Sequence, residues 1–309
     1  MVIKDPPVQV SSWLLMLGTK EYPVYLAKGT GESAIFEAGI SATAGVVSRQ
    51  LRQFDIKAEA VKRLVVTHAH PDHVMGVEAF RDAFGGIEVV ASKTSKDVMS
   101  NEKAVAFFSK VDAVVTESLL GSGSIIAEDR SPKATQKTIA VDRVVKEGDK
   151  IEADELAFDV LETPGHSECS LSFYEANKGI LIISDATGYY LPEQNYFWPN
   201  YFTGYSAYMD SMRRLAGIKT EILCLSHNAV IKGTEAVKAY FEGAINATEN
   251  YHKRIVRESQ GGAKPAGIAK KLGAEVYEKT QLMGLDFFEK NCELLVKQSL
   301  KHEKKAGSK

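Results

Sequence analysis

Residues 65–76, VVTHAHPDHVMG, place three histidines and an aspartate close together in a chain that has only seven histidines. Neutral imidazoles and carboxylates are good ligands for zinc, iron and related ions. His68 and His70 alternate at the end of an apolar strand pattern, so both side chains can point the same way. Asp72 and His73 follow at the predicted start of a helix. These four side chains cannot all bind one ion with good geometry, and we therefore expect two adjacent ions.

Three further candidate ligands recur at the ends of later apolar runs: His166 in ETPGHS, Asp185 in LIISDATG and His227 in ILCLSH. Each run is rich in β-forming residues, and functional side chains are commonly placed where such strands end. Five of the seven histidines therefore lie at predicted strand ends. Chance placement or burial in a core explains a lone histidine well but explains this grouping poorly.

The composition is that of an ordinary soluble globular protein, with 309 residues, 44% apolar residues and 25% charged residues. One large domain or two are expected at this length. The formal net charge of −2 gives no electrostatic case for nucleic acid or an anionic membrane as a partner. The three cysteines are widely spaced, the first residues do not resemble a signal peptide, and no apolar run reaches the length of a membrane span. We expect a cytoplasmic protein.

The order of patterns along the chain predicts α/β layers followed by a helical end. Short strands such as VYLAKG, SAIFEAG and RLVVTH alternate with helix-like stretches. Residues 95–135 have a helical and then a loosely polar pattern, and they are predicted to be an insertion or flexible flap rather than core. From Thr234 the pattern becomes helical in about three segments, with GGAKPAG separating the first from the second. We predict a catalytic domain at residues 1–233, a helical extension that caps the site at residues 234–303 and a disordered tail at residues 304–309.

The segments THAHPDH, TPGHS, SDATG and LSH, in this order, resemble the metallo-β-lactamase superfamily, over about residues 10–235. The resemblance implies an α/β fold, a four-layer αββα sandwich with a dinuclear metal site at one edge. It implies that the first ion is held by His68, His70 and His166. It also implies that the second ion is held by Asp72, His73 and His227, with Asp185 bridging the two ions. Such ligands suit two divalent ions, with zinc expected first and iron or manganese as alternatives.

The aspartate at position 185 distinguishes this chain from the β-lactamases of the superfamily that carry a cysteine near this place. It favours the branches that include glyoxalase II, lactonases, ribonuclease Z and thioesterases. Ribonuclease Z would need a basic arm that clamps RNA, and no such insertion is present in the sequence. The helical extension, the segment MLGTKEYPVYLAKGTGESAIFEAGIS and the aromatic loop after SDATG resemble the subgroup of the quinolone signal response thioesterase and, more distantly, glyoxalase II.

Two regions beyond the ligands are candidates for substrate binding. The aromatic-rich residues 188–208, GYYLPEQNYFWPNYFTGYSAY, form either a pocket wall or packing against the helical end, and Tyr189 and Tyr190 are nearest to Asp185 in sequence. In the helical end, Arg254 and Arg257 either bind the phosphates of a CoA or the carboxylates of glutathione, or form a solvated helix face. His252 is a further pocket candidate, and His302 is expected at the surface.

The ligand set predicts a hydrolase in which a hydroxide between the two ions attacks a carbonyl group, because metal binding lowers the pKa of water to about 7. Asp72 is the predicted catalytic side chain, since it orients the second ion and can pass a proton toward the leaving group. A thiolate leaving group needs little protonation, which favours a small-molecule thioester or reactive ester such as an acyl-CoA. A lactone and a hydroxyacylglutathione stay open as alternative substrates. A protein of another class also stays open, namely a metal-containing regulatory protein that acts through a partner surface. The oligomeric state is a separate question, for which a homodimer stays open.

Overall fold

Two seven-stranded sheets pack face to face in the computed structural model, which describes residues 1–131, 136–281 and 283–306. One sheet, called the second sheet because most of its strands come later in the chain, contains in spatial order β1 (Val2–Ile3), β16 (Val230–Lys232), β15 (Ile222–Cys224), β12 (Ile180–Ile182), β11 (Leu171–Glu175), β10 (Leu156–Glu162) and β9 (Lys150–Ala153). The first sheet contains β2 (Val8–Ser11), β3 (Leu14–Gly18), β4 (Pro23–Lys28), β5 (Ser33–Phe36), β6 (Val61–Val65), β7 (Glu88–Ser92) and β8 (Arg143–Val145). The first sheet is antiparallel from β2 to β5 and parallel from β5 to β8, whereas the second is antiparallel except between β12 and β15.

The central core lies between the two sheets and is built from side chains of both. Phe36 at the end of β5 packs on Phe158 of β10 and Phe173 of β11, with ring centroids 4.8 and 5.1 Å apart. Burial alternates along β10, as expected for a strand whose successive side chains point to opposite faces. The strands β3 and β5 are instead buried at every residue, because helices cover the outer face of the first sheet.

The first outer layer consists of the helices α1 (Thr43–Leu51), α2 (Pro71–Val74), α3 (Val77–Ala83), α4 (Lys93–Met99) and α5 (Glu102–Ser122). The prediction of a flap at residues 95–135 is wrong for most of that segment, because Val105 and Phe108 of α5 are buried in the core of the first sheet. Val115 and Leu119 are buried in a neighbouring cluster. The polar end of the segment hid this apolar stripe, and residues 132–135 lie outside the described residues.

The second outer layer contains α6 (Tyr205–Ala216), α7 (Thr234–Gln260), α8 (Pro265–Thr280) and α9 (Leu285–Ala306), together with a hairpin of β13 (Tyr189–Leu191) and β14 (Tyr196–Trp198). Short 3₁₀ turns occur at Arg52–Phe54, Ala58–Ala60, Ala127–Asp129 and Pro192–Gln194. The four-layer αββα sandwich with a C-terminal helical extension is therefore confirmed.

The end of the helical extension differs from the prediction in one respect. The helix α9 continues to Ala306, so residues 304–306 are helical where a disordered tail was expected, and residues 307–309 lie outside the described residues. Lysines dominate this last turn, and their long side chains are compatible with a helix despite their polarity. In the described part of the chain, no helix combines the length and the apolar character needed to cross a membrane.

Chain direction places several strand ends at one edge of the sandwich. The parallel strands β5 and β6 end there, and so do the parallel strands β12 and β15 of the other sheet. Because β11 is antiparallel to β12, the loop that leads into β11 reaches the same edge. The backbone N–H of Leu171 donates to the carbonyl of Thr67 at 2.9 Å and ties the two sheets together at this point. All the predicted ligands follow or precede these strand ends.

Candidate metal centre

The turn between β6 and α2 is held close to the end of β5. His70 has extended backbone angles and precedes the helix, and Pro71 occupies its first position, where a missing N–H costs nothing. Gly76 follows α2, and a Cβ atom there would lie 2.0 Å from the carbonyl oxygen of Ala38. Only glycine permits this approach, so the turn that carries the first four predicted ligands is fixed against the sheet.

One group of ligand atoms has the dimensions of a metal site. The Nε2 atom of His166 lies 3.3 Å from Nε2 of His68, 3.0 Å from Nδ1 of His70 and 3.2 Å from Oδ2 of Asp185. Ligands at about 2.0–2.1 Å from a tetrahedral ion are about 3.3 Å from one another. These separations therefore fit four ligands around a single ion.

A second group lies beside the first and shares its aspartate. Oδ2 of Asp72 is 3.4 Å from Nε2 of His73 and 3.9 Å from Nε2 of His227. Asp185 directs Oδ1 to His227 at 3.4 Å and Oδ2 to His73 at 3.8 Å, so its carboxylate faces both groups. The structure thus brings together all seven predicted ligands.

The donor atoms themselves fit a pair of cations. Nε2 of His73 and Oδ1 of Asp185 are buried and have no hydrogen-bond partner. A buried polar atom without a partner costs about 1–3 kcal/mol, and a bound ion would remove that cost. The outer nitrogens are occupied: Nδ1 of His166 donates to the carbonyl of Asn200 at 3.0 Å, and Nδ1 of His227 donates to that of Glu21 at 2.7 Å. These bonds leave the Nε2 lone pairs of both rings directed to the centre.

A buried carboxylate behind the centre supports both groups. Glu37 accepts a hydrogen bond from Nδ1 of His73 at 2.9 Å and another from the hydroxyl of Thr67 at 2.9 Å. Thr67 accepts from the hydroxyl of Ser184 at 2.8 Å, and Ser184 accepts from Nδ1 of His68 at 2.9 Å. One carboxylate therefore orients a ligand of each group, directly for His73 and through two hydroxyls for His68.

Sequence reasoning missed Glu37, although a signal was present. The residue follows β5 directly, and β5 runs parallel to β6, which leads to His68. An acidic residue at such a position lies at the same edge as the histidines. Glu37 is buried with only 2% exposure, and its hydrogen bond to His73 makes it part of the site. The hydroxyl of Ser226, next to His227, also donates to Glu37 at 3.2 Å.

Electrostatics divide the histidines into two sets. Burial lowers the pKa values of His68 and His166 and lowers the pKa of His70 to about 3, so these imidazoles are neutral and free to bind an ion. Burial opposes charge on His73 as well, but Glu37 and Asp72 outweigh it and raise its pKa.

Neighbouring charges also outweigh burial in setting the pKa values of His227 and Asp185. Asp185 likewise outweighs burial at His227 and raises its pKa. In return, His227 and His166 overcome the effect of burial on Asp185 and hold the pKa of its carboxyl well below the usual range. The group that contains Asp72 therefore carries the histidines that hold protons most strongly in the metal-free protein.

We expect that falling pH releases the ion at Asp72, His73 and His227 before the ion at the other group. A proton and a metal ion compete for the same nitrogen. At equal metal affinity, the group whose histidines have raised pKa values therefore loses its ion at the higher pH. Metal content after equilibration at stepwise lower pH should fall in two steps. The step at higher pH should be missing in His227→Ala, and a single step in the wild-type protein would contradict the expectation.

The two tyrosines that were candidates for substrate binding, Tyr189 and Tyr190, differ in their distance from the centre. The ring of Tyr189 lies 5.1 Å from that of His227, and its hydroxyl donates to Asn228 at 3.4 Å. Tyr190 packs instead between Phe197 and Tyr240, with centroids 4.5 and 5.2 Å away. Tyr189 thus borders the centre, whereas the ring of Tyr190 belongs to the packing behind it.

The contacts of the basic residue Arg254 lie within the helical extension. Its guanidinium donates to both carboxylate oxygens of Glu275 at 2.7 Å and to Glu258 at 2.9 Å. These hydrogen bonds raise the pKa of Arg254 and leave its charge already paired. Arg257 is exposed. Binding of substrate by either arginine stays a prediction.

The centre is open on one side. The side chain of Asp72 is 26% exposed and His70 is partly exposed, whereas the side chains of the other ligands are buried. Aromatic rings contact one histidine of each ligand group. The ring of Phe202 lies 5.1 Å from that of His166, and the ring of Tyr22 lies 5.5 Å from that of His227.

Comparisons with known proteins agree with the geometry. The chain is 24% identical over 277 residues to the probable metallo-hydrolase YqjP of Bacillus subtilis (strain 168), covering 83% of this chain and 82% of that protein. Its fold is similar to that of the metallo-beta-lactamase family protein TTHA1429 from Thermus thermophilus, with a TM-score of 0.67, 17% identity and coverage of 97% and 95% of the two chains. It is also similar to that of MIM-1 from Novosphingobium pentaromativorans, with a TM-score of 0.58, 19% identity and coverage of 84% and 92%. Residues 19–227 match the family model of the metallo-beta-lactamase superfamily, and the chain therefore belongs to that superfamily.

Proposed function

We propose that the protein is a hydrolase of small-molecule thioesters or esters that works with two divalent ions, zinc first among the candidates. The observation that carries this proposal is the bridging position of Asp185 between two groups of ligands. We also place the protein in the cytoplasm, and its three cysteines support this because all of them are unpaired and buried.

The ligand residues have separate tasks in this proposal. When bound, the ions supply Lewis acidity and lower the pKa of water so that it is a nucleophile near neutral pH. Asp185 fixes the separation of the two groups, and Glu37 holds the rings of His73 and His68 in place. Asp72 lies at the opening, where its carboxylate can orient the arriving substrate.

The leaving group is inferred from the state of Asp72. A carboxylate that binds a metal ion is ionised, so Asp72 has no proton of its own to donate. An amine leaving group requires a proton, whereas a thiol with an ordinary pKa of about 8.5 leaves readily as its anion. This supports a thioester or reactive ester over an amide.

The acyl group is inferred from the aromatic rings that contact the ligand histidines. Phe202 is partly exposed next to His166, and Tyr189 lies next to His227. Aromatic rings in contact with a histidine of each ligand group favour a compact, partly apolar acyl group. For the other end of an acyl-CoA, Arg257 is the better of the two predicted cations, since Arg254 is paired with glutamates.

A hydrolysis panel with the metal-loaded protein tests the proposal. It contains aliphatic and aromatic acyl-CoAs, lactoylglutathione, acyl-homoserine lactones and bis-nitrophenyl phosphate, with the metal-free protein as the control. We expect the acyl-CoAs to have the highest kcat/KM values. Faster turnover of the lactones would replace the thioesterase by a lactonase, and no turnover by protein with two bound ions would favour a regulatory role.

Replacing Phe202 with alanine should raise KM for an aromatic acyl-CoA about tenfold and leave KM for acetyl-CoA nearly unchanged. An aromatic contact is worth about 0.5–1.5 kcal/mol beyond its buried area, and 1.4 kcal/mol corresponds to a factor of ten. Phe287→Ala is the matched control, because this phenylalanine lies exposed at the start of α9. Equal changes for both substrates would exclude Phe202 from the acyl pocket.

A further inference from the structure

A second cluster of potential metal ligands lies in the helical extension. His252 of α7 meets His302 and Glu303 of α9, and one ligand atom from each lies within 4.8 Å of the other two. Nε2 of His252 is 3.2 Å from Oε1 of Glu303. These residues are separate from the seven ligands of the candidate metal centre.

Two separations within the cluster match individual separations in that centre. The rings of His252 and His302 have centroids 5.4 Å apart and planes at 79°, and the pair His73 and His227 has the same values. The distance of 3.2 Å between imidazole and carboxylate equals that between His166 and Asp185. Two imidazoles and a carboxylate at these separations can occupy three positions around one ion.

The surroundings of the cluster keep it available to a cation. His252 is 7% exposed, and its Nε2 atom faces Oε1 of Glu303. Its ring stacks on Tyr205 of α6 at 4.0 Å, and the ring of His302 meets the same tyrosine at 4.9 Å. Tyr205 thus fixes the orientation of both imidazoles, while Glu303, with a side chain 43% exposed, leaves the cluster accessible from solvent.

We propose that His252, His302 and Glu303 form a third metal site that binds a divalent transition-metal ion such as Zn²⁺. Imidazole nitrogens select zinc, nickel and copper over magnesium and calcium, and three protein ligands leave a fourth position for water. The ion joins the end of α9 to α7, and Tyr205 connects the site to the start of α6.

The position of the site gives it a structural role. Upstream in α9, Gln298 donates to the carbonyl of Phe202 at 3.0 Å, and Ser299 is 2.8 Å from the hydroxyl of Tyr201. Asn200 directly precedes Tyr201 and Phe202, and its carbonyl accepts the hydrogen bond that holds His166. An ion that fixes the end of α9 therefore strengthens the support of a ligand in the candidate metal centre.

Zinc stoichiometry and affinity test the proposal in the full-length protein. The metal-free protein is titrated calorimetrically with Zn²⁺, and the wild type is compared with His302→Ala, Glu303→Gln and the neighbouring control Lys301→Ala. The wild type should bind one ion more than His302→Ala, whatever number the candidate metal centre takes up. Glu303→Gln should weaken binding of this ion at least tenfold, and Lys301→Ala should match the wild type.

Hydrogen exchange provides a readout that is independent of stoichiometry. Addition of Zn²⁺ should slow the exchange of amides in residues 295–306 of the wild type and of Lys301→Ala but not of His302→Ala. Equal zinc uptake by the wild type and His302→Ala, or equal protection of this segment in both, would overturn the proposal. Circular dichroism should confirm that His302→Ala retains its helices, since this residue lies in the last turns of α9.

Discussion

Replacing Asp185 with asparagine is expected to lower kcat/KM by about 10³-fold and to reduce the metal bound at the candidate centre from two ions to one or none. The carboxylate directs one oxygen to His227 and the other to His166 and His73, so both groups lose a charged ligand at once. Lewis-acid stabilisation is worth several kcal/mol, and about 4 kcal/mol corresponds to a factor of 10³. Metal analysis and steady-state kinetics on the purified variant measure both effects.

Asp112→Asn is the matched control for this substitution. Asp112 is also a buried aspartate, and it accepts two hydrogen bonds from Ser41 beneath α5. We expect this variant to lose some stability but to keep its metal content and its rate. If Asp185→Asn retains two ions and more than a tenth of the wild-type rate, the bridging role of Asp185 is wrong.

Replacing Glu37 with glutamine should weaken metal binding by about 10–100-fold without removing any predicted ligand. Changes to the partners of ligating histidines typically have effects of this size. An amide has one acceptor oxygen in place of two, so it cannot accept from both Thr67 and His73 in the native geometry. The hydrogen bond that is lost also leaves a buried donor unpaired, at about 1–3 kcal/mol of stability.

The control for Glu37→Gln is Glu175→Gln, which changes another buried glutamate, at the end of β11. Excess metal should restore most of the activity of Glu37→Gln, because the ligands are all still present, whereas it should not restore Asp185→Asn. Unchanged metal affinity in Glu37→Gln would show that the ligand rings are held by packing alone.

The grouping of the seven candidate ligands was predictable from the sequence, because metal binding requires a few residue types at particular places. His166 and His227 each stand beside short β-strands, and such a position is visible in the residue pattern itself. The layers of the fold were predictable for a related reason, since strand and helix periodicities alternate along the chain.

Other features depend on contacts that the order of residues does not reveal. Glu37 is one of 40 acidic residues, and its role arises only when the parallel pairing of β5 and β6 brings it beneath His73. The pairing of Arg254 with Glu275 requires α7 and α8 to lie side by side. The burial of α5 was missed because its apolar stripe lies in a segment with a polar end.

The edge that carries the centre unites two separate parts of the chain. His68, His70, Asp72 and His73 come from the first sheet, whereas His166, Asp185 and His227 come from the second. Each bound ion is therefore a cross-link that closes a long loop of the polypeptide, and an unfolded chain cannot reproduce it. Ion binding should increase the free energy of unfolding by RT ln(1 + [L]/Kd), which is about 2.7 kcal/mol when the free ion concentration is a hundred times Kd. The melting temperature should therefore rise as the ion concentration rises. A chelator would then destabilise the fold, because it removes the ions that cross-link the two sheets.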